Sequence, residues 1–268
     1  MLCRRQRFDA LTGKAQHFQP GADFFGAESF ALPQKRLPQT GQQTFLGPLL
    51  QQETSFGIFG QHYRHRLDAP CLGRSLMGQF QRTNNEGGRA ACQGNWPVFH
   101  QMRLAQFLTW ERPLLTSYAA DLDAADHVGR NLVTEKYGRM MASTAPENFT
   151  KNIEPYIPRL SEERAARQEQ VIAQQVAWAK DFRERYPKLG EAMRALTTTE
   201  DTPSATSFET YLRGELGTYS DQTFERYEAM IGERAAASPQ RNITEETLLH
   251  TVQLGGFDTL EEAEASQA

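Results

Sequence analysis

The chain has 268 residues, 39% of them hydrophobic and 23% charged, with a formal net charge of −4 and a mean hydropathy of −0.62. No apolar run approaches the ~20 residues of a membrane helix, and the acidic balance argues against a nucleic-acid binder. Three widely spaced cysteines, Cys3, Cys71 and Cys92, make no disulfide framework and no CxxC zinc pair, which suits a reducing cytoplasm.

The start, MLCRRQRFDALTG, is basic but lacks an apolar h-region, so no secretory signal is expected. Residues 1–78 carry nine Lys/Arg against five Asp/Glu, a balance of +4, whereas the remainder carries 20 against 28. The first part holds ten Gln, nine Gly, five Pro and eight Phe, with Ile58 its one isoleucine and no valine. Stretches such as LPQKRLPQTGQQTFLGPLLQQ have neither a 3.6 nor a 2.0 period. Residues 1–78 therefore read as a poorly ordered N-terminal extension. The alternatives are an upstream or out-of-frame sequence joined near Leu76-Met77, or a small separate domain. HYRHR, with His62 and His65 and no carboxylate nearby, is a poor metal or anion patch.

From residue 79 the pattern is helical, and residues 79–268 read as one helical domain. Pro97 suits a first turn, with Val98, Phe99, Met102 and Ala105 along one side. Pro113 opens the next helix, whose stripe is Leu115, Tyr118, Leu122 and Ala125. A third takes Leu132, Val133, Tyr137, Met140 and Met141 and ends before Pro146. Pro155 and Pro158 predict a rigid connector.

Ser161 is the predicted N-cap of a long helix to about Tyr186, with Ala165, Val171, Ile172, Val176, Ala179 and Phe182 inward. At ~25 residues and 1.5 Å each it would span about 37 Å, enough for the spine of a bundle. TTTEDTPSATS reads as a polar loop, followed by a short helix that closes near Gly217. Ser220 caps another helix. Thr244 is the expected N-cap of the next, with Ile243 and Leu248 as a hydrophobic staple. Gly255-Gly256 ends it, and Thr259 with Glu262 makes a capping box. The expected fold is all-α: an irregular multi-helix bundle around a long central helix, without sheet.

Polar groups crowd two places. NNEGGRAACQGNW (84–96) combines Glu86, Arg89, Cys92, Gln93 and a Gly-Gly pair, and the helices after it carry His100, Arg103, Arg130, Glu135, Lys136 and Arg139. Glu135 and Arg139 at i, i+4 fit a surface pair, yet Arg130, Glu135 and Arg139 also fit a basic pocket wall. Cys92 as a nucleophile with His100 as base is a weaker reading, because the spacing fixes no geometry. The Gly-Gly pair lacks phosphate-loop spacing, although its amides with Arg89 suit an anion nest. The second place holds Glu200 and Asp201 beside Glu209, Arg213 and Tyr219. Adjacent carboxylates either bind a divalent cation or form a turn.

Asn85-Glu86-Gly87-Gly88-Arg89-Ala90, Cys92-Gln93 and Phe99-His100-Gln101-Met102-Arg103 resemble domain of unknown function 4125, an uncharacterised bacterial family. So do Gly129-Arg130-Asn131-Leu132, Thr134-Glu135-Lys136-Tyr137, Glu200-Asp201-Thr202 and Tyr211-Leu212-Arg213-Gly214-Glu215. The similarity covers about residues 79–265. It implies a helical cytoplasmic domain of unassigned activity, with a nucleotide-linked role or a nucleotidyltransferase-like protein partner. Upstream, where the family carries a helix with an acidic-Trp pair, Leu76-Met77-Gly78-Gln79-Phe80 retains a fragment, leaving that first helix in doubt.

Glu86, Arg89, Gln93, His100, Arg103, Arg130, Glu135, Lys136 and Arg139 are expected to form one network that binds an anionic, phosphate- or nucleotide-like small ligand. Arg89, Arg103 and Arg139 would clamp it. Glu135 would orient Arg139, or act as a base if there is catalysis, with His100 and Cys92 as the other catalytic candidates. Nothing in the sequence identifies a cofactor. The competing expectations are a non-catalytic interaction module, docking through the acidic C-terminal half, and a metal-dependent enzyme using Glu200 and Asp201.

Overall fold

The computed structural model describes residues 69–83, 93 and 95–267. Among these there are eleven α-helices and no strand. In chain order they are α1 Ala69–Gln81, α2 Trp96–Leu108, α3 Arg112–His127, α4 Leu132–Thr144, α5 Pro146–Asn152 and α6 Glu162–Arg185. α7 Pro187–Glu191, α8 Phe208–Leu216, α9 Asp221–Ala236, α10 Ile243–Leu254 and α11 Leu260–Ser266 follow. No described helix is long and apolar enough to cross a membrane.

Local chemistry sets most boundaries. Prolines 97, 113, 146 and 187 occupy first turns, where a missing N–H costs nothing. Side chains of Asn95, Asn131, Ser161, Ser207, Ser220, Asn242 and Thr259 accept from amides of the following turns. Gly129 (φ 72°) and Gly256 (φ 96°) take the left-handed conformation that turns the chain out of α3 and α10.

Several expectations are corrected. The 78/79 boundary falls inside α1, whose Leu72, Leu76, Met77 and Phe80 are buried in the main core. A helix thus spans that boundary; residues 1–68 lie outside the described residues. α1 is locked by Gln79, whose Oε1 accepts from Leu132 N (2.8 Å) while its carbonyl accepts from Asn131 Nδ2 (2.7 Å). The connector before α6 contains α5 and a 3-10 turn, Glu154–Tyr156. Asn242, not Thr244, caps α10, accepting from Thr244 N and Glu245 N. Ile243 then sits inside the helix and packs in the main core, while Leu248 packs in a second cluster, so no staple forms.

The 24-residue α6 is about 36 Å long. It gives Val171, Ile172 and Trp178 to the main core and Phe182 to the second. Ala165 is exposed, and Arg164, Gln168 and Gln175 are buried in its place. These polar atoms tie elements together: Arg164 Nη2 donates to Leu216 O (3.0 Å), Gln168 Nε2 to Arg213 O (3.0 Å), and Tyr227 OH to Gln175 (2.9 Å). Trp110 centres the main core, meeting Phe107, Tyr118, Tyr219 and Tyr227 edge-on.

Candidate functional site

α8 meets α4 at two glycines whose missing Cβ atoms the contact requires. A Cβ on Gly214 would come 2.8 Å from Met140 Cγ and 2.9 Å from the Lys136 carbonyl; one on Gly217 would come 2.8 Å from Arg139 Cδ. This approach, with α2 alongside, gathers ionisable side chains from three helices.

Glu215 on α8 is the hub. Its Oε1 accepts from Arg103 Nη1 (3.1 Å), Gln106 Nε2 (3.0 Å) and Tyr219 OH (3.3 Å). Its Oε2 pairs with Lys136 Nζ at 3.5 Å. Lys136 Nζ donates to Tyr211 OH at 2.5 Å, and Arg103 Nη2 reaches the same hydroxyl at 3.4 Å. The Lys136 ammonium also sits 4.1 Å from the Tyr211 ring centre, and Arg194 covers that ring at 5.0 Å. Arg103 and Lys136 are each 3% exposed and Glu215 is 4% exposed, so the pairing is out of water.

Burial favours neutral forms, and the cluster resolves that pressure unevenly. Burial pushes the Glu215 carboxyl up, but Arg103 and Lys136 more than offset it and hold it at about 2. Arg103 keeps its charge: burial opposes it, and Glu215 overcomes that. Burial pulls Lys136 well below the usual lysine range, with Arg103 and Arg194 adding to the fall and Glu215 opposing it. A guanidinium stays protonated in proteins, so Lys136 is the cation that releases its proton more readily. Burial also drives the Tyr211 and Tyr219 hydroxyls well above the ordinary tyrosine value, which keeps them neutral donors.

Among the described residues, the side chains expected to form one network lie in more than one group. Glu135 belongs to a second one, accepting from Arg130 Nη2 at 2.5 Å and from Arg139 Nη2 at 2.9 Å. Arg139 also donates to Pro158 O (2.7 Å), so this group fastens the α3–α4 turn and the connector before α6. Gln93 closes α1, donating to Phe80 O (2.8 Å) and Thr83 O (2.7 Å). His100 is half-buried and stacks on Trp96 at 4.8 Å, and its pKa is lowered by burial and by Arg74. Its buried Nδ1 has no hydrogen-bond partner. Glu86, Arg89 and Cys92 lie outside the described residues.

Glu200 and Asp201 form turns. Glu200 Oε2 accepts from Leu196 N (3.1 Å), Thr197 N (2.9 Å) and Thr197 Oγ1 (3.0 Å). Asp201 accepts from Ser207 N (2.6 Å), Thr210 Oγ1 (2.6 Å) and Ser143 Oγ (2.5 Å). Among the described residues no group of three or more His, Cys, Asp or Glu is placed to hold a metal ion. A cleft of about 430 Å³ opens between α1 and α3, lined by Leu72, Ser75, Arg112 and Leu122 among others, and shares no residue with the Glu215 cluster.

Glu215 stands outside the site residues expected from the sequence. Glu209 and Arg213, the α8 residues singled out in the sequence, face outward: Arg213 pairs with Glu169 (2.7 Å) and Glu209 (2.6 Å). The available signal was YLRGELG, where Tyr211 and Glu215 at i, i+4 share the side on which Gly214 permits close packing. No curated protein and no solved structure matches the chain. The model of the family described as "Protein of unknown function (DUF4125)" matches residues 75–265, and the chain belongs to that family.

Proposed function

We propose that the domain binds a small anionic ligand, phosphate- or nucleotide-like, at the cluster of Arg103, Lys136, Tyr211 and Glu215. The observation that carries this reading is Lys136. Its ammonium is buried against a tyrosine hydroxyl and a carboxylate already engaged by an arginine, and its proton affinity is strongly reduced. Removing ionisable groups from water costs several kcal/mol each, and strongly perturbed groups concentrate where ligands are handled. Arginine and lysine drawn from separate helices supply the planar and point-charge donors that suit phosphate oxygens. The metal-enzyme alternative loses support, because the oxygens of Glu200 and Asp201 are engaged in turns.

Thermal denaturation with pyrophosphate and with AMP tests the reading. Ligand at a hundred times its Kd stabilises by about 2.7 kcal/mol, which raises Tm by about 5–10 °C at this size. Lys136→Met, checked for native circular dichroism, should abolish the rise. A Tm unmoved by either compound defeats the proposal, as does a response that survives in a folded Lys136→Met protein.

A further inference from the structure

We infer that the chain forms a two-fold symmetric dimer in which α3 of a second copy lies in the cleft between α1 and α3. The cleft is floored by the buried Leu72 and Leu122 and walled on the α3 side by Arg112, Thr116, Ala119 and Asp123. It shares no residue with the Glu215 cluster, so the inference stands apart from the anion-binding reading.

α3 runs unbroken from Arg112 to His127. At 100° per residue, positions 112, 116, 119 and 123 fall within about 60° of one another and form one stripe about 17 Å long. Arg112, Thr116 and Asp123 are exposed and Ala119 is half-buried. The stripe thus has an arginine at one end, an aspartate at the other and two small residues between them. Arg112 stands as far from Thr116 along the helix as Asp123 does from Ala119. A second copy laid antiparallel, with the two-fold axis between Thr116 and Ala119, therefore sets Arg112 of each copy against Asp123 of the other. It also sets each Thr116 against the other Ala119. An isologous interface needs this pattern, because every contact must occur twice with the roles exchanged. The same stripe laid parallel would put arginine on arginine and aspartate on aspartate. Arg112 also has an interaction within its own chain, and a guanidinium has N–H donors for a second one. Exposed ion pairs add little affinity; here they fix the direction of docking, while Thr116 and Ala119 let the helix axes approach and close the cleft.

Sedimentation equilibrium of the full chain at micromolar concentration should give twice the 30.3 kDa monomer mass. Arg112→Glu alone and Asp123→Arg alone each bring like charges together at both ends of the interface. Each should raise the dimer Kd by more than about tenfold. The two changes in one chain restore opposite charges across the two-fold and should return the Kd to within about threefold of the wild type. Positions 112 and 123 are about 17 Å apart on their own helix, so such a rescue acts between copies. Circular dichroism checks that each variant is folded. A wild-type mass other than the dimer's overturns the inference, and a monomer would leave the cleft to a different chain. A dimer that either reversal leaves intact overturns it too, as does one lost in both single variants and not regained in the double.

Discussion

Glu215→Gln is the sharpest test of the cluster's energetics. The change keeps the side chain's size and removes the charge that Arg103 and Lys136 share at 3.1 and 3.5 Å. Taking away one member of a buried ion pair costs ~3–5 kcal/mol. The titration gives a second route to the same magnitude. The folded carboxyl sits at about 2 against an ordinary value of 4.5, a difference worth about 3 kcal/mol. The sign follows from its being a depressed acid: this stability is present above pH 4.5 and is lost as pH falls from there towards 2. Urea denaturation of both proteins at pH 7, and again at intervals between pH 5 and pH 3, measures it. The variant should be weaker by about 3 kcal/mol at pH 7, with a Tm lower by on the order of 10 °C, and the gap should narrow on acidification. A gap below about 1 kcal/mol at pH 7, or one that does not change with pH, would refute the assignment of Glu215 as an ionised hub.

Three further outcomes follow from named contacts. Lys136→Met should be neutral or stabilising, since Arg103 retains Glu215 and a buried charge is replaced by an apolar chain. Because the folded Lys136 is depressed, wild-type stability should rise with pH towards the ordinary lysine value of 10.5, and the variant's denaturation midpoints should lose that rise. Gly214→Ala should destabilise by about 1–3 kcal/mol, because its Cβ meets the Lys136 backbone carbonyl, which cannot rotate away. Asn242→Ala should cost about 1 kcal/mol in the same assay and Thr244→Ala less through loss of a cap, since Asn242 holds the two orphan amides of α10.

Where an element ends was legible wherever one residue decides it. Pro97, Pro113, Ser161, Ser220 and Thr259 act through their own ring or side chain on the next turn, so their role travels with the sequence. Asn242 and Thr244 were confused because both are good caps two residues apart, and the choice depends on Ile243 packing into the main core. The α1 error has a similar origin. Composition assigned its apolar residues to the stretch before them, yet Leu72, Leu76 and Phe80 recur every four residues, the spacing of a single helical face. On α6 the expected Val171, Ile172, Ala179 and Phe182 are buried, but so are Arg164, Gln168 and Gln175, which satisfy partners outside the helix. No local pattern announces a polar group whose partner lies 45 or more residues away.

The candidate site was half legible for the same reason. Arg103 and Lys136 stand out in the sequence as members of a polar network, but the carboxylate they share could be found only by knowing which helix meets α4. Glu135, which spacing pairs with Arg139, is engaged by Arg139 and Arg130. That leaves the next residue, Lys136, on a different face of α4, pointing at α8. A helix advances about 100° per residue, so neighbours in sequence serve different interfaces. Glu135 holds a turn and a connector, and Lys136 enters the core. The glycines of α8 make the second arrangement attainable. With any side chain at position 214, α8 would stand off from the Lys136 carbonyl, and the Lys136–Glu215 separation of 3.5 Å would widen. Close helix packing and the perturbed lysine are therefore one feature, and Gly214→Ala should weaken the pH dependence attributed to Lys136 along with the stability.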